Sequence, residues 1–387
     1  SMRTQPGSPV RQSGEHVTAS TTDSATVLRV ALAAVRAGVP VVFRGKSGVG
    51  KTAKTTTYFK EHGYHIEVVA GGAREASDFT GLPIERDSMV EYAPLGWAVR
   101  CNRAQKALAF LDELGENEAS FSGMLRVLQD RVVGDLPLGD HVALIAAMNP
   151  ADISVSGLHL PGPIANRMLH LEWVFAPDEW SAGLRRGFVS TGLAAPEQFL
   201  PVQGSGTYAT VAGRVLGYLR TQVGDLEPAM PVSKKEQGQA WASPRSWHNA
   251  TRVLAQLPAD DEAATHLVLC GTVGEAIAIK YLKWVRDNDL YDVPDVLDGT
   301  VTVDWTGRID RLWSLADSLA SYGLHDPKRW RRALDVLADG ARTRPDVVYP
   351  AAHELLRSVP PGQTLSRAAQ QAFASILAQI GVVSLAG

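Results

Sequence analysis

Cysteine is almost absent. The 387 residues hold two, Cys101 and Cys270, with no Cys-x-x-Cys pair and no Cys/His cluster. That excludes a disulfide framework and a zinc site of the usual ligand spacing, and it is the usage expected of a chain working in a reducing cytoplasm. Cys270 lies in an apolar stretch, where a small thiol packs as core. There is also no run of about 18 apolar residues, so no membrane-spanning helix is expected. An excess of charge of one sign is lacking too: 38 Lys and Arg face 41 Asp and Glu, a formal net charge of -3. Such a balance leaves no global electrostatic footprint for nucleic acid. No internal repeat or long low-complexity segment is found. What remains is a chain with an ordinary globular composition, long enough for two or three domains.

The first 24 residues are polar, lack an apolar signal core, and are expected to form a flexible tail. Val27, Leu28, Ala31, Leu32 and Val35 then recur at helical spacing, and Gly38 is a plausible stop. A short apolar run, Val39 to Phe43, leads into a glycine-rich loop, and a helix is expected from Lys51. Ile66–Ala70, Ala107–Leu111, Val142–Met148 and Leu169–Val174 are further buried-strand candidates. Strands alternating with helices predict a parallel α/β sheet covered on both faces. After about residue 176 helical periodicity takes over, best at Ser246–Leu257, Ala263–Trp284, Ile309–Ser321, Lys328–Leu337 and Ser366–Ile380. The expected organisation is a tail (1–24), an α/β core (25–176), a helical segment (177–286) and a helical extension (287–387).

The glycine-rich loop, Gly45-Lys46-Ser47-Gly48-Val49-Gly50-Lys51-Thr52, matches the phosphate-loop pattern GxxxxGK[ST] in full. Its glycines let successive backbone N–H groups face a phosphate chain, Lys51 can reach the β and γ oxygens, and Thr52 can ligate Mg²⁺. The following helix adds its positive end. ATP with Mg²⁺ is therefore the expected ligand. A second element is the apolar strand ending in Asp112-Glu113. Beside a phosphate loop, Asp112 would hold Mg²⁺ and Glu113 would act as general base toward water; taken alone, such a pair is more commonly a solvated strand end. The third is Asn149-Pro150 at the end of another apolar run, suited to touching a γ-phosphate or to capping the next turn.

These elements stand in the order and spacing of the AAA+ ATPases, and residues 25 to 286 resemble the MoxR-type branch. Ser77-Asp78-Phe79-Thr80-Gly81-Leu82-Pro83, preceded by Ala76, is similar to that family's SDLxGxP segment, and Pro94–Val99 to the short stretch before its Walker B strand. GMLRVLQDRVV resembles its LLEAMEER helix, Ala165-Asn166-Arg167-Met168 stands where it has LDRF, and Ala242-Ser243-Pro244-Arg245 matches its ASPR motif. The resemblance implies an AAA+ P-loop core, a five-stranded parallel sheet between helices, with an α-helical lid and a C-terminal helical extension. It implies that Asn149 is sensor 1, that Arg245 on the lid contacts the γ-phosphate in its own subunit, and that Arg167 is an arginine finger reaching a neighbour's nucleotide. Arg131 is a second candidate finger, and Arg167 could instead be an ordinary surface arginine. Implied with these are ATP hydrolysis in a homo-oligomeric ring, expected to be a hexamer, and a chaperone role toward a separate partner, such as a von Willebrand factor A domain protein. Two departures stand out. Met168 replaces the family's Phe, and only Ser88–Val99 represents an inserted helix, as a hairpin or a short turn.

Residues 287–387 resemble nothing. Trp305, Leu312, Trp313, Leu315, Leu319 and Trp330 are expected core positions, with a partner-docking face as the alternative. Lys328–Arg332 (KRWRR) reads as the solvated side of a helix rather than a nucleic-acid patch, with Asp326, Asp335 and Asp339 nearby. Two other functions are compatible with the loop: a nucleic-acid or restriction-complex motor, against which the near-neutral charge argues, and an ATP-gated scaffold with slow hydrolysis.

Overall fold

The computed structural model describes residues 23–72, 75, 77–150, 157–193, 205–259 and 261–381. Residues 1–22 of the expected tail, and Ala76, lie outside these. The tail's inner end is already structured: the Asp23 carboxylate accepts the Thr26 N–H at 2.8 Å, and Ser24 opens the first helix.

The first half runs α1 (Ser24–Arg36), β1 (Val41–Arg44), α2 (Lys51–Glu61), β2 (His65–Ala70), α3 (Ser77–Thr80), β3 (Leu82–Arg86), β4 (Met89–Ala93), α4 (Gly96–Arg103), β5 (Ala107–Asp112), α5 (Glu118–Asp130), β6 (Val132–Val133), β7 (Leu136–Pro137), β8 (Val142–Met148), α6 (Gly162–Ala165) and β9 (Leu169–Glu172). Five of the strands form one parallel sheet in the order β2-β5-β8-β1-β9. Alternate residues of its strands point to opposite faces. Val41, Phe43, Leu108 and Phe110 join one core with α1 and α2. Val42, Ala109, Leu111 and Ala146 join another with α4 and α5. The result is the expected five-stranded parallel α/β sheet, covered on both faces.

The short segment where a helix insertion was in question is a β-hairpin. β3 and β4 pair antiparallel through a two-residue turn, Asp87-Ser88, both left-handed (φ 51° and 62°). Its base is pinned by Asp135, whose carboxylate accepts the Tyr92 N–H at 2.6 Å.

The second half is helical: α7 (Pro177–Arg186), α8 (Ser205–Thr221), a 3₁₀ turn (Val223–Asp225), α9 (Lys234–Gln237), α10 (Pro244–Leu254), α11 (Glu262–Thr272), α12 (Glu275–Asn288), α13 (Val293–Asp298), α14 (Ile309–His325), α15 (Pro327–Gly340), α16 (Pro345–Arg357), α17 (Arg367–Ala372) and α18 (Ala374–Gln379). Two expected helices are each divided. Ala263–Trp284 breaks at Gly274 (φ 95°), a conformation open to glycine, so that α11 and α12 fold against each other. Ser366–Ile380 breaks at Phe373, whose fully buried ring fills the C-terminal core. Trp305, Leu312, Leu315, Leu319 and Trp330 are buried as expected, while Trp313 is half-buried under the Arg220 guanidinium. The KRWRR run is largely engaged: Trp330 is core, Arg329 pairs with Asp298 at 2.5 Å, and Arg332 donates to the Leu297 carbonyl. Among the described residues no helix is long and apolar enough to cross a membrane.

Helix α8 belongs to two cores. Val211, Val215 and Tyr218 join the core shared by α1, α10, α11 and α12, and Ala209 enters the C-terminal core. Gly213 and Gly217, one helical turn apart, lie against Ser318 and Ser314 of α14. Arg220 and Asp317 close the same seam with two hydrogen bonds, at 2.9 and 3.1 Å. The C-terminal helices are thus packed directly onto α8 through α14.

A buried polar junction joins β1, β9 and the lid. Arg44, the last residue of β1, donates to the Gly238 carbonyl at 2.5 Å and lies 3.5 Å from His170 Nδ1. His170 Nε2 is 2.8 Å from the Ala165 carbonyl and must carry the proton there. Burial pushes the His170 imidazole down to about 3, with the Arg44 charge acting the same way.

Two outcomes follow from this packing. A Cβ on Gly217 would sit 2.7 Å from Ser314 Cβ and 3.0 Å from its Cα. Gly217→Val should therefore destabilise the chain by about 1–3 kcal/mol, read as a lower urea midpoint; an unchanged midpoint would show that the seam yields. His170, neutral in the fold, regains its ordinary value near 6.5 on unfolding. The unfolded chain then binds the extra proton, and stability falls as pH drops from 6.5 toward 3. His170→Gln should flatten that part of the unfolding free energy against pH, and an unaltered slope would contradict the assignment.

Candidate active site

The parallel register brings the carboxyl ends of β1, β5 and β8 to one edge. Arg44 pairs with Met148, Leu111 with Ala146, and the Gly45 N–H donates to the Met148 carbonyl at 3.2 Å. The loop, the acidic pair and Asn149 therefore meet, although they are widely separated in sequence. They line a cavity of about 290 Å³ with Ser47, Gly48, Gly50, Lys51, Thr52, Asp112, Glu113 and Asn149 in its wall.

The loop's glycines have distinct reasons to be there. Gly48 and Gly50 are left-handed (φ 78° and 87°). Gly45 is a close approach, since a Cβ would lie 2.8 Å from the Trp173 carbonyl oxygen. Trp173 closes the loop from outside by donating Nε1–H to the Val49 carbonyl at 3.3 Å. With Gly50 at its N-cap, α2 has no side-chain cap, so its first N–H groups are available to an anion.

Lys51 is buried and folded back on the loop. Its ammonium donates to the carbonyls of Gly45 (2.5 Å) and Lys46 (2.8 Å) and lies 3.5 Å from Asn149 Oδ1. Burial lowers its pKa, opposed by the charges of Asp112 and Glu116. The Thr52 hydroxyl donates to Asp112 Oδ2 at 2.5 Å. This pair of hard oxygens at the cavity floor fits Mg²⁺, which takes few protein ligands and keeps water and phosphate oxygens for the rest. Asp112 Oδ1 accepts the Glu113 N–H at 2.9 Å.

Glu113 has a left-handed backbone (φ 54°), a conformation costing a non-glycine residue about 1–3 kcal/mol. The next peptide, Leu114 N–H to the Ala147 carbonyl at 2.8 Å, holds it there. Its carboxylate accepts the Gly72 N–H at 3.1 Å. Gly72 has to be glycine for that contact, because a Cβ would occupy the place of Glu113 Oε2. Glu116 holds Asn149 from the other side, accepting Nδ2–H at 3.0 Å. Sequence reading passed over Gly72, Glu116 and Trp173; only the Gly71-Gly72 pair directly after a strand could have signalled the first of them.

The three arginines are not among the residues lining the cavity. Arg245 is exposed on the first turn of α10. Arg167 follows the four-residue α6, with Nη1 donating to the Gln129 carbonyl at 3.1 Å near the end of α5. Arg131 is half-buried and turned inward, donating to the carbonyls of Gly139 (2.8 Å) and Val142 (2.6 Å). Burial lowers its pKa, and its guanidinium serves the turn into β8.

No model of a known protein family matches the chain, and no curated protein matches it. Among solved structures, the chain is similar to a candidate ATPase from Cytophaga hutchinsonii. The two are 14% identical with a TM-score of 0.41, over 66% of this chain and 88% of that one. A likeness this loose bears on no residue's role. The fold itself is a five-stranded parallel α/β sheet followed by a helical half.

Proposed function

We propose that the chain is a Mg²⁺-dependent ATP hydrolase of the MoxR type, acting in a ring on a separate protein. The convergence of Lys51, Thr52, Asp112, Glu113 and Asn149 on one cavity at the end of the phosphate loop carries this reading. Lys51 exchanges its loop carbonyls for β and γ phosphate oxygens. Thr52 and Asp112 would hold Mg²⁺, which would supply positive charge to the phosphates. Glu113 takes a proton from water as the water oxygen bonds to the γ-phosphorus. The bridging P–O bond breaks with its electron pair leaving on ADP, and inorganic phosphate is the second product. Asn149 orients the water or the γ-phosphate.

In this reading Arg245 serves the nucleotide of its own subunit, and Arg167 that of the neighbour. That Arg167 does not line the cavity of its own chain fits such a shared site. A finger supplied across an interface contributes roughly 10³–10⁵ in rate in related enzymes, so the active form is a ring, expected to be hexameric. The client is a protein, with a von Willebrand factor A domain partner as the expected class, and hydrolysis drives its assembly or activation.

Glu113→Gln should retain ATP binding and hydrolyse at least ~10²-fold more slowly; unchanged turnover would remove Glu113 from the mechanism. Lys51→Ala should abolish tight ATP binding, and normal affinity would refute the loop assignment. By light scattering with ATP, the wild-type chain should assemble to several times its own mass. A monomer with full turnover would exclude the shared site.

A further inference from the structure

The turn that carries Arg167 is held by the lid, and the helix that holds it is the one that carries Arg245. Asn166, 5% exposed, accepts the Ser243 hydroxyl at 2.6 Å through Oδ1 and donates Nδ2–H to the Trp241 carbonyl at 2.9 Å. Ser243 is the N-cap of α10. Its hydroxyl oxygen accepts the Ser246 N–H at 3.1 Å, so its own proton is left for Asn166. From one turn further along α10, Asn249, 8% exposed, donates Nδ2–H to the Arg167 carbonyl at 3.1 Å. Beneath them His170 Nε2 donates to the Ala165 carbonyl. Opening any of these strands a buried donor or acceptor, so the turn and the start of α10 separate only at high cost.

We infer that Asn166, Ser243 and Asn249 are positioning residues that lock the Arg167 turn to α10, so that Arg167 and Arg245 move as one body. The inference rests on the proposed roles of those two arginines. Nucleotide drawn to Arg245 in one subunit then sets where Arg167 stands for the next. The residues of the lock touch neither nucleotide. They join the two halves of a ring's communication, the site a subunit fills and the site it completes.

The test uses the full chain at ring-forming concentration, measuring kcat and KM for ATP alongside affinity for a fluorescent ATP analogue. Ser243→Ala and Asn249→Ala should each lower kcat about tenfold or more while analogue affinity stays within about threefold. Ser243→Thr keeps the hydroxyl and the cap and should restore kcat to within about twofold, a rescue that separates positioning from general loss of folding. Adding either alanine change to Arg167→Ala should cost nothing further, because all act through the same guanidinium. Wild-type turnover in Ser243→Ala and Asn249→Ala, or losses that multiply with that of Arg167→Ala, overturns the lock while leaving the finger intact. Wild-type turnover in Arg167→Ala itself overturns the finger, and the lock with it.

A second readout does not depend on turnover. Adding a non-hydrolysable ATP analogue should change amide exchange at residues 164–168 in the wild type and not in Asn249→Ala. The same change in both chains would overturn the coupling.

Discussion

The parallel register of β1, β5 and β8 is the constraint on which the rest depends. Parallel strands end together, and their carboxyl ends carry their following residues to the same edge. The Gly45 N–H to Met148 carbonyl bond and the Leu114 N–H to Ala147 carbonyl bond extend that register beyond the strands. They fix where the loop turns and where Glu113 points. A slip of one residue in β5 would turn Asp112 from the cavity into the sheet's other face. Backbone strain at Glu113 is tolerable because its neighbours on both sides are held in hydrogen bonds.

Helices α10 and α11 pack on α1 and β9 in one hydrophobic core, and polar contacts join the same region to this edge. Arg44 connects the strand beneath the phosphate loop to the Gly238 carbonyl and to His170. Asn166, Ser243 and Asn249 connect the Arg167 turn to α10. On the far side, Gly213 and Gly217 let α8 lie directly on α14.

Much of the core was legible because its signals are local. GKSGVGKT declares its loop through glycines whose backbone conformation few other residues adopt, and buried parallel strands read as short apolar runs. The helical half was less legible. An apolar period does not report a break such as that at Gly274 or Phe373, because the packed partner chooses where the chain turns. The hairpin at β3 and β4 was legible only as one of two alternatives, a hairpin or a short turn: Asp87-Ser88 is a weaker turn signal than Asn-Gly, and its strands are mostly exposed.

By itself the sequence carried the signals that a single short stretch can encode: the glycine-rich loop, the acidic strand end and the terminal asparagine. Only the tertiary structure decided what depends on long-range contact. It turned Arg131 inward and left Arg167 at the end of α5. It placed Glu116 on Asn149 and Gly72 on Glu113, and it made α8 a member of two cores. Residue types at a given spacing specify local geometry, whereas the partner of a buried donor is settled when distant segments meet.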